Sequence, residues 1–184
     1  MSNYSFRPIA RSDFELLGGW LLQPHVLRWW ADDASPEGVE ADYGPCVDGV
    51  EASEVFIAHR DSAVFGLVQR LRLDAYPQYL AEIAAIVPVP PCTWSVDYLV
   101  GDPAHTGRGW GTELVAAFTH RLWHDDVSAR AVVVPVHAAN RFSWRALERA
   151  GYVRIATGLL EPDNPADHRN HFLYRIDRPS DSMA

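Results

Sequence analysis

The chain has 184 residues, 48% of them hydrophobic, with seven tryptophans and a formal net charge of −8. That length supports one domain with a real core, and that composition excludes a disordered chain. The acidic balance disfavours a nucleic-acid partner and suits a cationic ligand or plain solubility.

Met1 to Phe6 has neither a basic start nor a long apolar run, so no signal peptide, membrane span or membrane partner is expected, and the protein reads as cytoplasmic. Tyr4 to Ile9 reads as a first strand. Ser12-Asp13-Phe14-Glu15 has capping-box spacing, with Ser12 as the cap, and starts a helix toward Leu22. Pro24 breaks it, and His25 to Trp30 reads as a second short helical turn. Residues 31–53 read as a long loop holding one helix. From Asp32 to Glu54 there are eight acidic residues (Asp32, Asp33, Glu37, Glu40, Asp42, Asp48, Glu51, Glu54) and no cation. Eight is the whole net negative charge, so the remainder of the chain balances. Such a stretch either meets a cationic ligand or is a solvated surface.

Val55 to Ala58 and Val64 to Leu71 flank Asp61-Ser62 and read as a hairpin. Residues 74–91 carry Pro77, Pro88, Pro90 and Pro91 and read as irregular. A strand over 93–100 follows, then a helix from about 109 to 124. Trp110, Leu114, Phe118 and Leu122 recur every fourth residue, with Val115 alongside, as one buried stripe. Ala131 to Val136 is a β-branched strand. Asn140 to Ala150 is a helix closed by Gly151, and two strands follow near 152–157 and 171–176. The pattern is mixed α/β of the α+β type, with an antiparallel front half and no doubly wound order. A single domain over 1–184, ordered over about 4–177, accounts for it.

Chemistry concentrates at the strand–loop–helix junction. Gly107-Arg108-Gly109-Trp110-Gly111 opens the helix, so bare amides and a positive helix end converge where phosphate oxygens bind well. It is no dinucleotide fingerprint, since the third glycine would fall at Thr112. Nor does it carry the Gly-Lys-Ser/Thr of a Walker loop. In the preceding strand Asp97 shares a face with Ser95 and Leu99, opposite Trp94, Val96 and Tyr98. A carboxylate inside a strand is costly unless it is paired or used. It either holds an arginine structurally or accepts a proton from a substrate amine.

Thr106-Gly107-Arg108-Gly109-Trp110-Gly111 resembles the acetyl-CoA diphosphate loop of GCN5-related N-acetyltransferases, the GNAT superfamily. Asn140 followed by Ala146-Leu147-Glu148-Arg149-Ala150-Gly151-Tyr152 resembles that family's second motif. Trp20, His25-Val26 and Trp29-Trp30, with Val96-Asp97-Tyr98-Leu99, resemble bacterial aminoglycoside 6′-N-acetyltransferases. The likeness spans roughly residues 4–177. It implies a mostly antiparallel mixed sheet, flanked by helices and splayed at its fourth strand. It implies acetyl-CoA as co-substrate, held by Tyr98, Leu99 and Val100, by Thr106 to Thr112 (Gly107, Arg108, Gly109, Trp110 and Gly111 between them), and by Asn140, which is also a plain N-cap candidate. It makes Asp97 the general base. Trp29, Trp30, Asp32, Asp33, Asp97, His137 and Asp167 are the expected substrate contacts, with one tryptophan of the pair in the core. Two positions depart from the pattern. Thr106 stands where Gln or Arg is common, and Leu147 where many relatives carry a tyrosine that protonates the leaving thiolate.

The histidines say less. His120 and His124 lie four apart without a neighbouring Glu, so an exposed helix face is expected and no metal site. Cys46 and Cys92 have no metal spacing and read as reduced thiols. His137 is a candidate second base. His168 and His171 flank the last strand near Glu161, Asp163 and Asp167, acids that either meet a polycation or line a solvated turn. The function implied is acetylation of a 6′ or 2′ amine of an aminoglycoside, the latter as in kasugamycin-modifying relatives, by a monomer or homodimer. The alternatives are acylation of a hydroxylated lysine in siderophore synthesis and a non-catalytic acyl-CoA-binding module.

Overall fold

A computed structural model describes residues 3–180; the ends of the expected 1–184 span lie outside the described residues. Seven strands form one sheet: β1 (Tyr4–Pro8), β2 (Glu54–Arg60), β3 (Ala63–Arg72), β4 (Thr93–Val100), β5 (Ala131–His137), β6 (Val153–Leu159) and β7 (Asn170–Asp177). Their order across the sheet is β1-β2-β3-β4-β5-β7-β6. Every neighbouring pair is antiparallel except β4–β5. That pair holds register only at Thr93↔Ala131 and Trp94↔Val132, and then the strands part. The expected splay at the fourth strand is present.

Among the described residues six helices flank the sheet: α1 (Phe14–Leu21), α2 (Pro24–Leu27), α3 (Pro36–Val47), α4 (Pro77–Ala84), α5 (Trp110–Asp125) and α6 (Arg141–Arg149). On one face Leu114, Val115, Phe118 and Leu122 of α5 and Leu147 of α6 pack on Phe56, Val68, Val96, Val132 and Tyr174. The other face carries two separate clusters. Leu17, Leu21, Val39 and Tyr43 from α1 and α3 cover Val55, Ile57, Leu67 and Leu99. Ile83 of α4 covers Leu73, Val133 and Leu173. On this face the β3–β4 ladder reads Leu67/Leu99, Gln69/Asp97, Leu71/Ser95. The polar Gln69/Asp97 step therefore falls between the two apolar clusters.

Two expectations are corrected. Ser12 does not cap the first helix. The entry is a 3-10 turn over Arg11–Asp13, and the Asp13 carboxylate accepts the Ala10 N–H at 2.9 Å. A bidentate pair from Arg7 at 2.6 and 2.7 Å fixes that carboxylate and holds its pKa down. Residues 74–91 are not irregular throughout, because α4 occupies 77–84 with Pro77 in its first turn. A proline there gives up an N–H that has no intrahelical partner in any case.

Candidate functional site

The splay leaves one edge of β4 unpaired, and two hydrogen bonds identify which main-chain groups face it. The Cys92 carbonyl accepts from Arg130 N–H at 3.0 Å on the β5 side, and Gly101 N–H donates to the Phe65 carbonyl at 2.8 Å on the β3 side. Main-chain groups alternate sides along a strand. The N–H and C=O of Val96, Tyr98 and Val100 therefore face the opening, while those of Asp97 and Leu99 lie in the ladder with β3. Leu99, an expected cofactor contact, has its amide paired with β3 and its side chain buried in the α1–α3 cluster. The Val100 carbonyl accepts from His25 Nε2 at 2.8 Å, which fastens α2 to this edge.

Beyond β4 the chain makes a 3-10 turn over Pro103–His105 and enters α5 through Gly109, whose φ is 85°. Gly107 has φ 70°. Both torsions are strained for any residue with a Cβ, so the loop shape itself demands glycine. The first helical bond is Glu113 N–H to the Gly109 carbonyl at 3.0 Å, so the amides of Trp110, Gly111 and Thr112 precede the ladder. His105 stacks on Trp110 with centroids 3.9 Å apart, and the Arg60 guanidinium lies 4.5 Å from the same ring, fixing the loop's base. Arg108 is exposed at the tip. Thr106 is exposed, and its N–H and hydroxyl both donate to the Pro103 carbonyl, at 3.2 and 2.8 Å. Asn140 caps α6, its Oδ1 accepting Ser143 N–H at 3.2 Å. Tyr98 reaches the same turn, its hydroxyl donating to the Ser143 carbonyl at 3.0 Å.

Asp97 reaches solvent, yet protein surrounds it on its other sides, so it lies on the floor of a cleft. Among the described residues no ion pair or hydrogen bond engages it, which removes the structural arginine partner as an account of it. Burial pushes its pKa up to about 7, helped by the charges of Asp163 and Asp32. Asp163 is itself raised by burial and by Asp32. Three carboxylates from β4, the segment after α2 and the β6–β7 connection therefore share one field. Tyr43 donates to Asp32 Oδ2 at 2.7 Å, and Tyr79 of α4 lies close enough for Asp97 to raise its phenol after burial has done so. Ser95 Oγ is buried beside that phenol without a well-formed hydrogen bond.

The other expected substrate contacts divide. Trp29 lies at the mouth, against His137 at 5.6 Å between ring centroids, while Trp30 packs on the α1–α3 cluster. His137 Nε2 donates to the His168 carbonyl at 2.7 Å, so that nitrogen is no free base. Asp33 is exposed in the turn before α3, where its Oδ1 accepts Ser35 N–H at 2.9 Å. Asp167 binds Arg28, and Asp163, not Asp167, is the acid that acts on Asp97. A groove of about 640 Å3 lined by Glu15, Trp20, Gln23 and Asp102 contains none of the three carboxylates, and the chemistry is not assigned to it. Among the described residues no group of three His, Cys, Asp or Glu side chains is arranged to hold a metal, and His120 and His124 lie exposed on α5.

Residues 10–159 match the acetyltransferase (GNAT) domain family. The chain belongs to the GNAT acetyltransferases. Curated relatives include aminoglycoside N(6′)-acetyltransferase type 1 of Klebsiella pneumoniae and of Serratia marcescens, each 27% identical over 166 residues, covering 88% of this chain and 79% of the relative. Among solved GNAT structures, AAC(6′)-Ib with coenzyme A and kanamycin superposes with a TM-score of 0.80 at 23% identity, over 96% of this chain and 95% of that one. The ribosomal-protein-S5-alanine acetyltransferase of Vibrio fischeri superposes at 0.70 and 16% identity, over 96% of each chain. The GNAT fold is thus shared by proteins named for different amines, and the substrate has to be argued from the cleft.

Proposed function

We propose that this GNAT protein transfers the acetyl group of acetyl-CoA to an amine of an aminoglycoside, at the 6′ position or alternatively at 2′. The observation that carries the reading is the unpaired Asp97 carboxylate, in a field of like charge, one residue from main-chain donors on an open strand edge. The curated 6′-acetyltransferase relatives favour the same substrate class.

Acetyl-CoA fits the residues present. Its diphosphate suits the amides of Trp110, Gly111 and Thr112 and the Arg108 guanidinium, and its pantetheine suits the free main-chain groups of Tyr98 and the Val100 N–H. When bound, it supplies an acyl carbon activated by a thiol leaving group. Tyr98 N–H, fixed before the reaction, stabilises negative charge developing on the acyl oxygen. Asp32, Asp163 and Asp97 draw a polycation into the cleft, and Trp29 offers an aromatic face to its ring. Asp97 takes the ammonium proton, which frees the nitrogen lone pair for attack; its raised pKa suits proton acceptance near neutral pH. Leu147 is fully buried in the α5–α6 core and donates nothing, so solvent in the open cleft protonates the departing thiolate. Acetylation removes one positive charge from the drug and weakens its hold on RNA phosphate, which makes resistance the cellular consequence. The cytoplasm, which holds both acetyl-CoA and ribosomes, is the proposed location.

Thiol release from acetyl-CoA with a panel of amines tests this. Turnover with aminoglycosides is the expected result. Turnover confined to hydroxylated lysine points to siderophore acylation, and acetyl-CoA binding without any turnover points to a non-catalytic module.

A further inference from the structure

At the mouth of the cleft the protein makes, with its own side chains, the contacts an amino sugar would make. Arg28 donates to Asp167 through both terminal nitrogens, Nη1 to Oδ2 at 2.6 Å and Nη2 to Oδ1 at 2.8 Å. The same guanidinium lies 4.3 Å from the centroid of the Trp29 ring. A cation gripped by a carboxylate and an indole face is also the arrangement that holds a protonated amine on a sugar ring.

The location matters as much as the chemistry. Arg28 lies four residues before Asp32, and Asp167 four residues after Asp163. Those two carboxylates are the ones whose charge acts on Asp97. Each partner is also anchored to a different arm of the splay. His25 fastens α2 to Val100 of β4, and the Ala138 N–H that follows β5 donates to the Asn170 carbonyl at 2.9 Å. The ion pair therefore bridges the two walls across which a substrate must enter.

We propose that Arg28 is a resident stand-in for a substrate ammonium, holding the Asp167–Trp29 subsite until a substrate with at least two cationic amines displaces it. The inference rests on the aminoglycoside reading and adds a specificity residue that touches no reacting atom. Exchange is open to solvent on the Arg28 side, whose side chain is 45% exposed. Asp167, 13% exposed, stays fixed in the wall as the half of the pair that a substrate ammonium would meet. The carboxylate also stays paired throughout, one cation replacing another. A monoamine delivers its only nitrogen to Asp97 and has no second charge with which to claim Asp167. The Asp167–Trp29 subsite therefore favours polyamines over monoamines, and Arg28, by competing for it, tempers that preference.

Calorimetric titration of the wild-type protein and Arg28→Gln decides the matter, using kanamycin as the polyamine and methyl 6-amino-6-deoxyglucoside as the monoamine. Arg28→Gln is expected to bind kanamycin about two- to fivefold tighter, the range set by an exposed ion pair, with the monoamine unchanged. Adding Asp167→Asn to Arg28→Gln abolishes the gain, because the two side chains act through one contact. Arg28→Lys, which keeps the cation, retains wild-type selectivity and controls for folding. A purely structural latch gives the opposite result, since its loss loosens both walls and weakens both ligands. Kanamycin binding that is unchanged or weaker in Arg28→Gln, or equal gains for both ligands, overturns the proposal. Wild-type protein that binds no kanamycin overturns the aminoglycoside reading along with it, whereas kanamycin bound by both proteins with no gain overturns the stand-in role alone.

Discussion

A carboxylate without a cation partner is the residue on which the proposed chemistry turns. Asp97→Asn keeps the shape and removes the base, so kcat is expected to fall about 10²–10⁴-fold, with the Kd for coenzyme A unchanged by calorimetry. Because the ionised form is the base, kcat/KM of the wild type should rise with pH through about 7. Stability should run the other way. Between the ordinary carboxylate value and about 7, folded Asp97 binds a proton that the unfolded chain has released, so stability declines as pH rises through that window and levels off above it. Thermal melts should therefore show Asp97→Asn gaining over wild type at pH 8 and matching it near pH 4. Leu147→Tyr, which introduces the side chain many relatives carry, places a larger group in a fully buried site and should destabilise by about 1–3 kcal/mol in denaturant titrations. At this scale the sequence showed Asp97 and the face it lies on, because period-two alternation is local. It could not separate Asp163 from Asp167. Both sit on one acidic turn, and what distinguishes them is an arginine 139 residues away.

Among the elements, the junction of β4, glycine loop and α5 was the most legible, since a strand pattern, a glycine cluster and a four-residue stripe each carry their own signature. Gly109→Ala tests the loop. At φ 85° a Cβ costs about 1–2 kcal/mol, and relaxing that strain turns the amides, so weaker coenzyme A binding should accompany the lower melting temperature. α4 was missed because four prolines across 77–91 mask it, although only Pro77 lies within the helix, where proline is tolerated. The start of α1 was found one residue off. Asp13, one residue after Ser12 and two before Glu15, takes the Ala10 N–H because Arg7 on β1 fixes its carboxylate, a tertiary contact that no capping rule contains. The individual amides facing the splay were likewise beyond pattern reading, because which side of a strand is unpaired depends on where its neighbour turns away.

Across the whole molecule, charge and topology act together. The net charge of −8 and the three cleft carboxylates form a field that attracts polycations, so KM for an aminoglycoside should rise steeply between about 10 mM and 0.5 M salt, as screening shortens its reach. Every one of the 16 basic side chains is arginine, so the chain offers no ε-amine to acetyl-CoA. Intact-mass measurement after long incubation with the donor should accordingly show no side-chain acetylation. Arg70, nearly buried, ties β3 to β2 and α5 through Glu54 and Asp125 while lying over the Phe56 and Trp94 rings. It braces the central strands from the α5 side of the sheet. The parting of β4 from β5 has an evolutionary corollary. The proposed proton acceptor, Asp97, and the proposed acyl-oxygen donor, the Tyr98 amide, are consecutive links of one backbone, their separation set by covalent geometry at about 3.8 Å between α-carbons. On the proposed mechanism, changes in the surrounding walls can therefore alter which amine fits while the spacing of the reactive groups stays the same.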